Sequence, residues 1–172
     1  MIPIIPWIER SFQFDFPIGL FPVILSRLEG TIFRLLHLTA NTEESYCGVT
    51  QNGWSVKQHI GHLMDLEELW WKRLMDFEQN KPVLTAADMS NTKTVEANHN
   101  EKQLHEIMNA FINERKKMVE FIYSFDEGML GKTSLHPRLN KPMRLIDSLY
   151  FVAEHDDHHL ALISNLFRRD RE

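Results

Sequence analysis

The chain has 172 residues, of which 43% are hydrophobic and 25% charged, with seven glycines and seven prolines. That balance predicts one globular domain over residues 1–172, burying roughly 70% of the surface its unfolded form exposes, and excludes collagenous, disordered and low-complexity chains. A net charge of −5 without a basic stripe argues against DNA or RNA as partner. No apolar run approaches the ~20 residues of a membrane span, and Cys47, the one cysteine, excludes an internal disulfide.

Residues 1–17 read as an aromatic, irregular arm packed on the body, carrying Trp7, Phe12, Phe14 and Phe16. Its two early prolines and Glu9-Arg10 do not make a secretion signal, so a cytoplasmic protein is expected. Phe21, Leu25, Leu28, Ile32 and Leu35 repeat at helical spacing and predict helix 1 over about Pro22 to Ala40. A polar loop from Asn41 to Gly53 follows. Ser55 and Gln58 form a possible capping box for helix 2, whose stripe is Val56, Ile60, Leu63, Glu67, Trp70, Leu74 and Phe77. Helix 2 ends near Asn80, and residues 81–97 form a long polar connection. Asn100 is expected to cap helix 3, with Leu104, Met108, Phe111, Arg115, Met118, Ile122 and Phe125 on its stripe. After a second loop marked by Gly128, Gly131 and Pro137, Pro142 is expected to open helix 4, which runs to about Arg168. No segment reads as a strand. The expected architecture is all-α, a four-helix bundle with a long crossover connection.

Two stripes contain a residue that does not belong: Glu67 in helix 2 and Arg115 in helix 3. A lone buried charge costs several kcal/mol. The two are therefore candidates for a structural ion pair across the core, the alternative being a bent stripe from which both reach solvent.

The histidines are placed unevenly. His155 and His159 stand four apart, about 40° around a helix and about 6 Å along it. They share a row with Val152, Leu162 and Leu166, so both imidazoles face inward. Two such imidazoles can bind one metal ion, as in HExxH helices. Helix 2 offers His59 and His62, the latter on a row with Leu66, Leu69 and Arg73. Three histidines from two facing helices would make a half-open centre of the catalytic zinc type, though spacing alone does not show that helices 2 and 4 meet. Single histidines on apolar rows are more often core residues satisfied by a hydrogen bond.

Three stretches carry a resemblance: Ser55 to Glu67, His136-Pro137-Arg138 to Pro142-Met143-Arg144, and Phe151 to Ala161 with its Glu154-His155-Asp156-Asp157-His158-His159 core. Together they resemble the DinB-like superfamily. The resemblance implies a four-helix bundle with a long crossover and a divalent metal site of His62, His155 and His159, with Zn²⁺ first and Ni²⁺ as the alternative. It also implies a thiol S-transferase using a low-molecular-weight thiol such as bacillithiol or mycothiol. The alternatives are a metal-dependent hydrolase activating water at the same site and a non-catalytic, metal-stabilised bundle. Asp65, Asp156 and His158 are candidates for positions behind the ligands. Asp65 reads equally as a solvated acid, Asp156 as an acid orienting an imidazole, and His158 as exposed.

The expected partners are a small-molecule substrate, neither nucleic acid nor membrane, and a second copy of the chain in a homodimer. The Glu96-to-His99 motif lacks the second set that a di-iron bundle needs. His136-Pro137-Arg138 reads as a turn rather than a substrate contact, the tryptophans as packing, and Cys47 as no nucleophile.

Overall fold

Four apolar stripes become four long helices: α1 (Phe21–Thr39), α2 (Val56–Glu78), α3 (Leu104–Tyr123) and α4 (Leu145–Arg169). The structure, a computed structural model, describes residues 2–48, 50 and 53–169. Helix α1 packs on α3 and α4, and α2 packs on the same two. The chain thus passes from α1 to the opposite corner for α2, and again from α3 to the opposite corner for α4. The result is a mostly helical four-helix bundle. Among the described residues no helix is long and apolar enough to cross a membrane.

Helix starts follow local chemistry. The backbone N–H of Gln58 donates to Ser55 Oγ at 3.1 Å and Gln58 Oε1 accepts from the backbone N–H of Ser55 at 3.0 Å, a complete capping box. Ser55 Oγ also donates to Asn100 Oδ1 at 2.5 Å. Asn100 is therefore engaged with α2 and does not cap α3, which begins after Gln103, where Glu106 accepts from the backbone N–H of Gln103 at 3.3 Å. The start of α4 also differs from expectation. Pro142 lies in a strand, and the cap is Asp147, which accepts from the backbone N–H of Arg144 at 2.7 Å.

The strands are the main departure from an all-α chain. Thr133–His136 (β1) pairs antiparallel with Lys141–Arg144 (β2). At four residues each, they are too short to show a period-2 pattern, and Pro142 masks the second. Pro142 is tolerated because β2 is an edge strand that needs no donor there. On its other side β1 bonds the long connection: Leu84 N–H donates to Leu135 O at 3.0 Å and Leu135 N–H to Pro82 O at 2.9 Å. The hairpin thereby ties residues 81–97 to the bundle. Single-turn helices (Glu44–Cys47, Thr92–Glu96) interrupt loops expected to be irregular.

The core has two apolar halves. One gathers Leu28, Trp70, Leu74, Met118, Leu149 and Val152; the other Ile32, Leu63, Phe111, Leu160 and Ile163. Between them every helix contributes a buried polar residue: Thr31, Glu67, Arg115 and Asp156. Arg115 donates to Glu67 Oε1 from Nε at 2.9 Å and from Nη2 at 2.7 Å. It also donates to both Asp156 oxygens, from Nη1 to Oδ2 and from Nη2 to Oδ1 at 3.2 Å. Thr31 Oγ1 donates to Asp156 Oδ2 at 2.8 Å, and Arg115 Nη1 to Leu28 O at 3.3 Å.

The arm runs along α4. Trp7 packs between Phe12, Phe151 and His155 at ring separations of 4.9 to 5.0 Å. Arg10 bonds the Glu154 carboxylate, and Lys141 Nζ donates to Phe12 O at 3.1 Å.

Candidate metal centre

Because α2 and α4 pack together, His62 faces His155 and His159. One ring nitrogen from each lies within 4.8 Å of the others, and all three side chains are buried. His155 Nε2 and His159 Nε2 are 3.2 Å apart. Two imidazoles sharing one tetrahedral ion at ~2.05 Å bring their nitrogens to about 3.3 Å, so the spacing fits a common ligand.

The protonation states fit as well. Burial first, then the adjacent His62 and after it His158, pushes His59 down; both His59 and His62 fall to about 4. For His62 burial dominates, with Asp65 opposing and His99 assisting. His155 and His159 lie well below the ordinary imidazole value for the same reason, burial, reinforced at His155 by His62 and His158 and at His159 by His155 and His62. All four are neutral at pH 7, the form that offers a lone pair.

Neighbouring groups fix how the rings are turned. His62 Nδ1 bonds Thr94 Oγ1 at 3.1 Å, leaving Nε2 free. His159 Nδ1 bonds His59 Nδ1 at 2.9 Å, which sets Nε2 of His159 toward His155. Trp54 closes this side, its ring 4.8 Å from His62 and 6.1 Å from His159. On the other side Trp7 packs edge-on to His155, whose Nδ1 has no partner among the described residues.

The histidines form the inner wall of a cleft of about 200 Å³ that is also lined by Trp7, Trp54, Trp70, Arg73, His136 and Arg138. His158 is half-buried on its rim, against Trp7. Two other expected neighbours lie elsewhere. Asp156 touches no imidazole: one step round α4 from His155, it turns into the bundle and binds Arg115 and Thr31. Asp65 is neither solvated nor bonded to a ligand histidine. It is buried and bonds His99 Nε2 at 2.8 Å. The His99 ring lies so close to Gly61 that a Cβ there would sit 2.3 Å from it, which is why this turn of α2 has no side chain. Cys47 is buried, and burial raises its thiol pKa, so it is no nucleophile.

The spacing of His62 and the His155/His159 pair indicated the cluster. His59 and Thr94 had no such signal, since their partners come from α4 and from the long connection. Trp54 and Trp7, expected as packing, also line the cleft.

A family model for the DinB superfamily matches residues 27–163. The chain belongs to the DinB superfamily. Among solved structures it is similar to YfiT from Bacillus subtilis, a probable metal-dependent hydrolase with an unusual four-helix bundle topology. The TM-score is 0.78 at 16% identity, covering 94% of this chain and 93% of that one. It is also similar to the mycothiol-dependent maleylpyruvate isomerase, with a TM-score of 0.68 at 9% identity over 86% of this chain and 60% of that longer one. At these identities the likeness concerns the DinB fold. No curated protein matches the chain in sequence.

The neutral histidines make stability depend on pH. In metal-free protein, an unfolded imidazole takes up a proton below about 6.5 while folded His59 and His62 resist until about 4. The unfolded state then binds more protons, so stability falls as pH drops from 6.5 to 4, by on the order of 3 kcal/mol for each histidine. Glu67, raised to about 7 by burial against the pull of Arg115, works in the opposite direction and offsets part. Urea midpoints in chelator should therefore fall between pH 7 and pH 4.5. A midpoint that rises over this interval would contradict the neutral cluster.

Proposed function

We propose that the chain is a metal-dependent enzyme acting on a small molecule, with His62, His155 and His159 holding one divalent ion, zinc in the first instance and nickel in the second. The observation that supports it is the convergence of three neutral, buried imidazoles from two helices at the inner wall of an open cleft. A divalent ion held there supplies Lewis acidity, lowering the pKa of a thiol or water that reaches its open side.

The chain's own groups favour the thiol. Asp88 is the one carboxylate among the residues lining the cleft. Its oxygens accept from the backbone N–H of Ser90 at 2.9 Å and of Thr92 at 2.8 Å. Among the described residues no carboxylate of the cleft is thus placed as a general base for water, which leaves that role to the half-buried His158 imidazole on the rim, whereas a thiol needs only to be ionised and aimed. Thr94 and His59 hold the His62 and His159 rings with Nδ1 turned away from the centre, and Trp7, Trp54 and Trp70 make the wall apolar. The reaction proposed is transfer of a low-molecular-weight thiol of the bacillithiol kind to a small electrophile.

A second reading, hydrolysis at the same centre, is favoured by the likeness to YfiT, an analogy at the level of fold.

The test uses zinc-loaded protein with bacillithiol, cysteine or glutathione and 1-chloro-2,4-dinitrobenzene, and separately with p-nitrophenyl acetate. Conjugation that disappears with chelator and in His62→Ala is the expected result. Ester turnover without thiol dependence would replace it with the hydrolytic reading. Stoichiometric metal with neither activity would leave a structural centre.

A further inference from the structure

Beyond the histidines, the cleft has a second polar feature that the proposed centre does not use. Arg73, on the same row of α2 as His62, is buried. Its Nε donates to Thr85 O at 3.0 Å, and it forms no ion pair among the described residues. Arg138, in the hairpin turn, likewise forms none, and its Nη2 is buried without an acceptor. His136, at the end of β1, is 1% exposed, and its tautomer is fixed. The backbone N–H of Leu139 donates to Nδ1 at 3.2 Å, so the neutral ring carries its hydrogen on Nε2. That Nε2–H is also buried without an acceptor. Burial, then Arg73 and Arg138, holds His136 down at about 3, so the neutral form is the one present.

All three side chains line the cleft that the metal-site histidines wall. Buried donors without acceptors are rare in folded proteins, and two at one cavity, Arg138 Nη2 and His136 Nε2, call for an acceptor there. Two guanidinium groups and one imidazole N–H supply donors and positive charge in excess, so that acceptor is an anion. The nearby carboxylates are occupied: Asp88 by Ser90 and Thr92, and Asp76 by Lys81 and Thr85.

We propose that Arg73, Arg138 and His136 form a carboxylate-binding subsite, and that the molecule taken by this cleft is a small carboxylic acid whose reactive end reaches the three histidines. The inference rests on the metal-centre reading for its second clause alone. Aromatic faces join the two ends. Arg73 lies 5.4 Å from the Trp70 ring, which is 6.0 Å from His155, and Arg138 lies 5.7 Å from the Phe151 ring, which is 4.9 Å from Trp7. His62 and Arg73 are three helical turns apart, about 16 Å along the axis, and arginine side chains lean back toward the helix N-terminus. The carboxylate therefore sits several bonds from the reacting atom. A cleft of about 200 Å³ is smaller than pockets for drug-sized ligands. Its few donors match the acceptor sites of one planar carboxylate, which guanidinium forks pair with bidentately.

The test is calorimetric titration of the full chain, metal-free and zinc-loaded, in chloride-free buffer with glutarate, its neutral diamide glutaramide, and inorganic phosphate. The expected result is that glutarate binds both forms and glutaramide binds at least tenfold more weakly. Arg138→Gln should weaken glutarate at least tenfold with zinc content unchanged. Arg73→Lys, which keeps the charge at a buried position but loses the fork, should weaken it severalfold. Equal binding of glutaramide, or wild-type affinity in both variants, overturns the subsite. So does glutarate binding confined to zinc-loaded protein and indifferent to both variants, since the carboxylate would then sit on the ion. Phosphate binding tenfold tighter than glutarate overturns the carboxylate assignment. Wild-type protein that binds glutarate but no zinc would retire the metal centre and leave the subsite standing.

Discussion

Arg115→Met should leave a chain that fails to hold its native fold at neutral pH. Arg115 is fully buried and is the common partner of Glu67 and Asp156, which come from two other helices. Burial lowers the pKa of a lone guanidinium, but here Asp156 and Glu67 outweigh it and hold Arg115 above its ordinary value. Removing one partner of a buried pair costs about 3–5 kcal/mol because the other charge is stranded. Methionine strands the Asp156 carboxylate and takes from Glu67 the donor of its two hydrogen bonds, against a net stability of about 5–15 kcal/mol for a domain. Glu67→Gln should behave differently. Burial pushes Glu67 up to about 7, and its Oε2 has no partner among the described residues, so a neutral amide replaces a group already about half protonated at pH 7. A loss of under about 2 kcal/mol is expected. Combining Arg115→Met with Glu67→Gln and Asp156→Asn should recover most of the stability, because no buried charge then remains. Urea unfolding at pH 7 measures all three. Arg115→Met within 1 kcal/mol of wild type would show that the carboxylates reach water, and that the polar layer is not what ties the four helices together.

That layer shows where the sequence could be read and where it could not. Glu67 and Arg115 stood out because each interrupts an apolar row, and the cost of burying either alone demands a partner. Asp156 interrupts a row in the same way, between Leu149, Val152, Leu160 and Ile163. Its position beside His155 drew attention to the imidazole instead, although adjacent helical residues point about 100° apart. The helices were legible through periodicity and the capping box at Ser55. The hairpin was not, because four-residue strands containing a proline have no pattern to display, and their pairing with residues 82–84 is a long-range event. The histidine cluster was half legible. Spacing put His155 and His159 on one face, but only the packing of α2 on α4 brings His62 to them. The residues behind them, His59 and Thr94, are chosen by that packing and by the fold of the long connection. Asp65 and His99 follow the same rule. Each looks unremarkable in its own segment, and their pairing appears only when the chain entering α3 crosses α2 at Gly61.

His62→Ala should abolish stoichiometric zinc binding while leaving a folded bundle. The apolar halves and the Arg115 layer do not involve His62, so the fold does not need the ion as a zinc finger does. Wild-type protein should therefore remain folded in chelator and gain about 2.7 kcal/mol when free zinc reaches one hundred times its Kd, which a rise in Tm reports. His62→Ala should show no such rise. His59→Ala separates a ligand from the group that orients one. His59 bonds the nitrogen of His159 turned away from the cluster, so its loss leaves three ligands but frees the His159 ring. Second partners of this kind are worth about 10–100-fold in metal affinity. His59→Ala should accordingly bind one zinc with a Kd raised by that factor, and the Tm rise should return at higher zinc. If His59→Ala bound zinc as tightly as wild type, His59 would not orient the site. If His62→Ala kept its zinc, the third ligand would have to be sought elsewhere in the cleft. Unfolding of the wild-type chain in chelator would assign the ion to the fold, because an ion that serves only chemistry can be withdrawn from a bundle whose helices are already held by Arg115 and the two apolar halves.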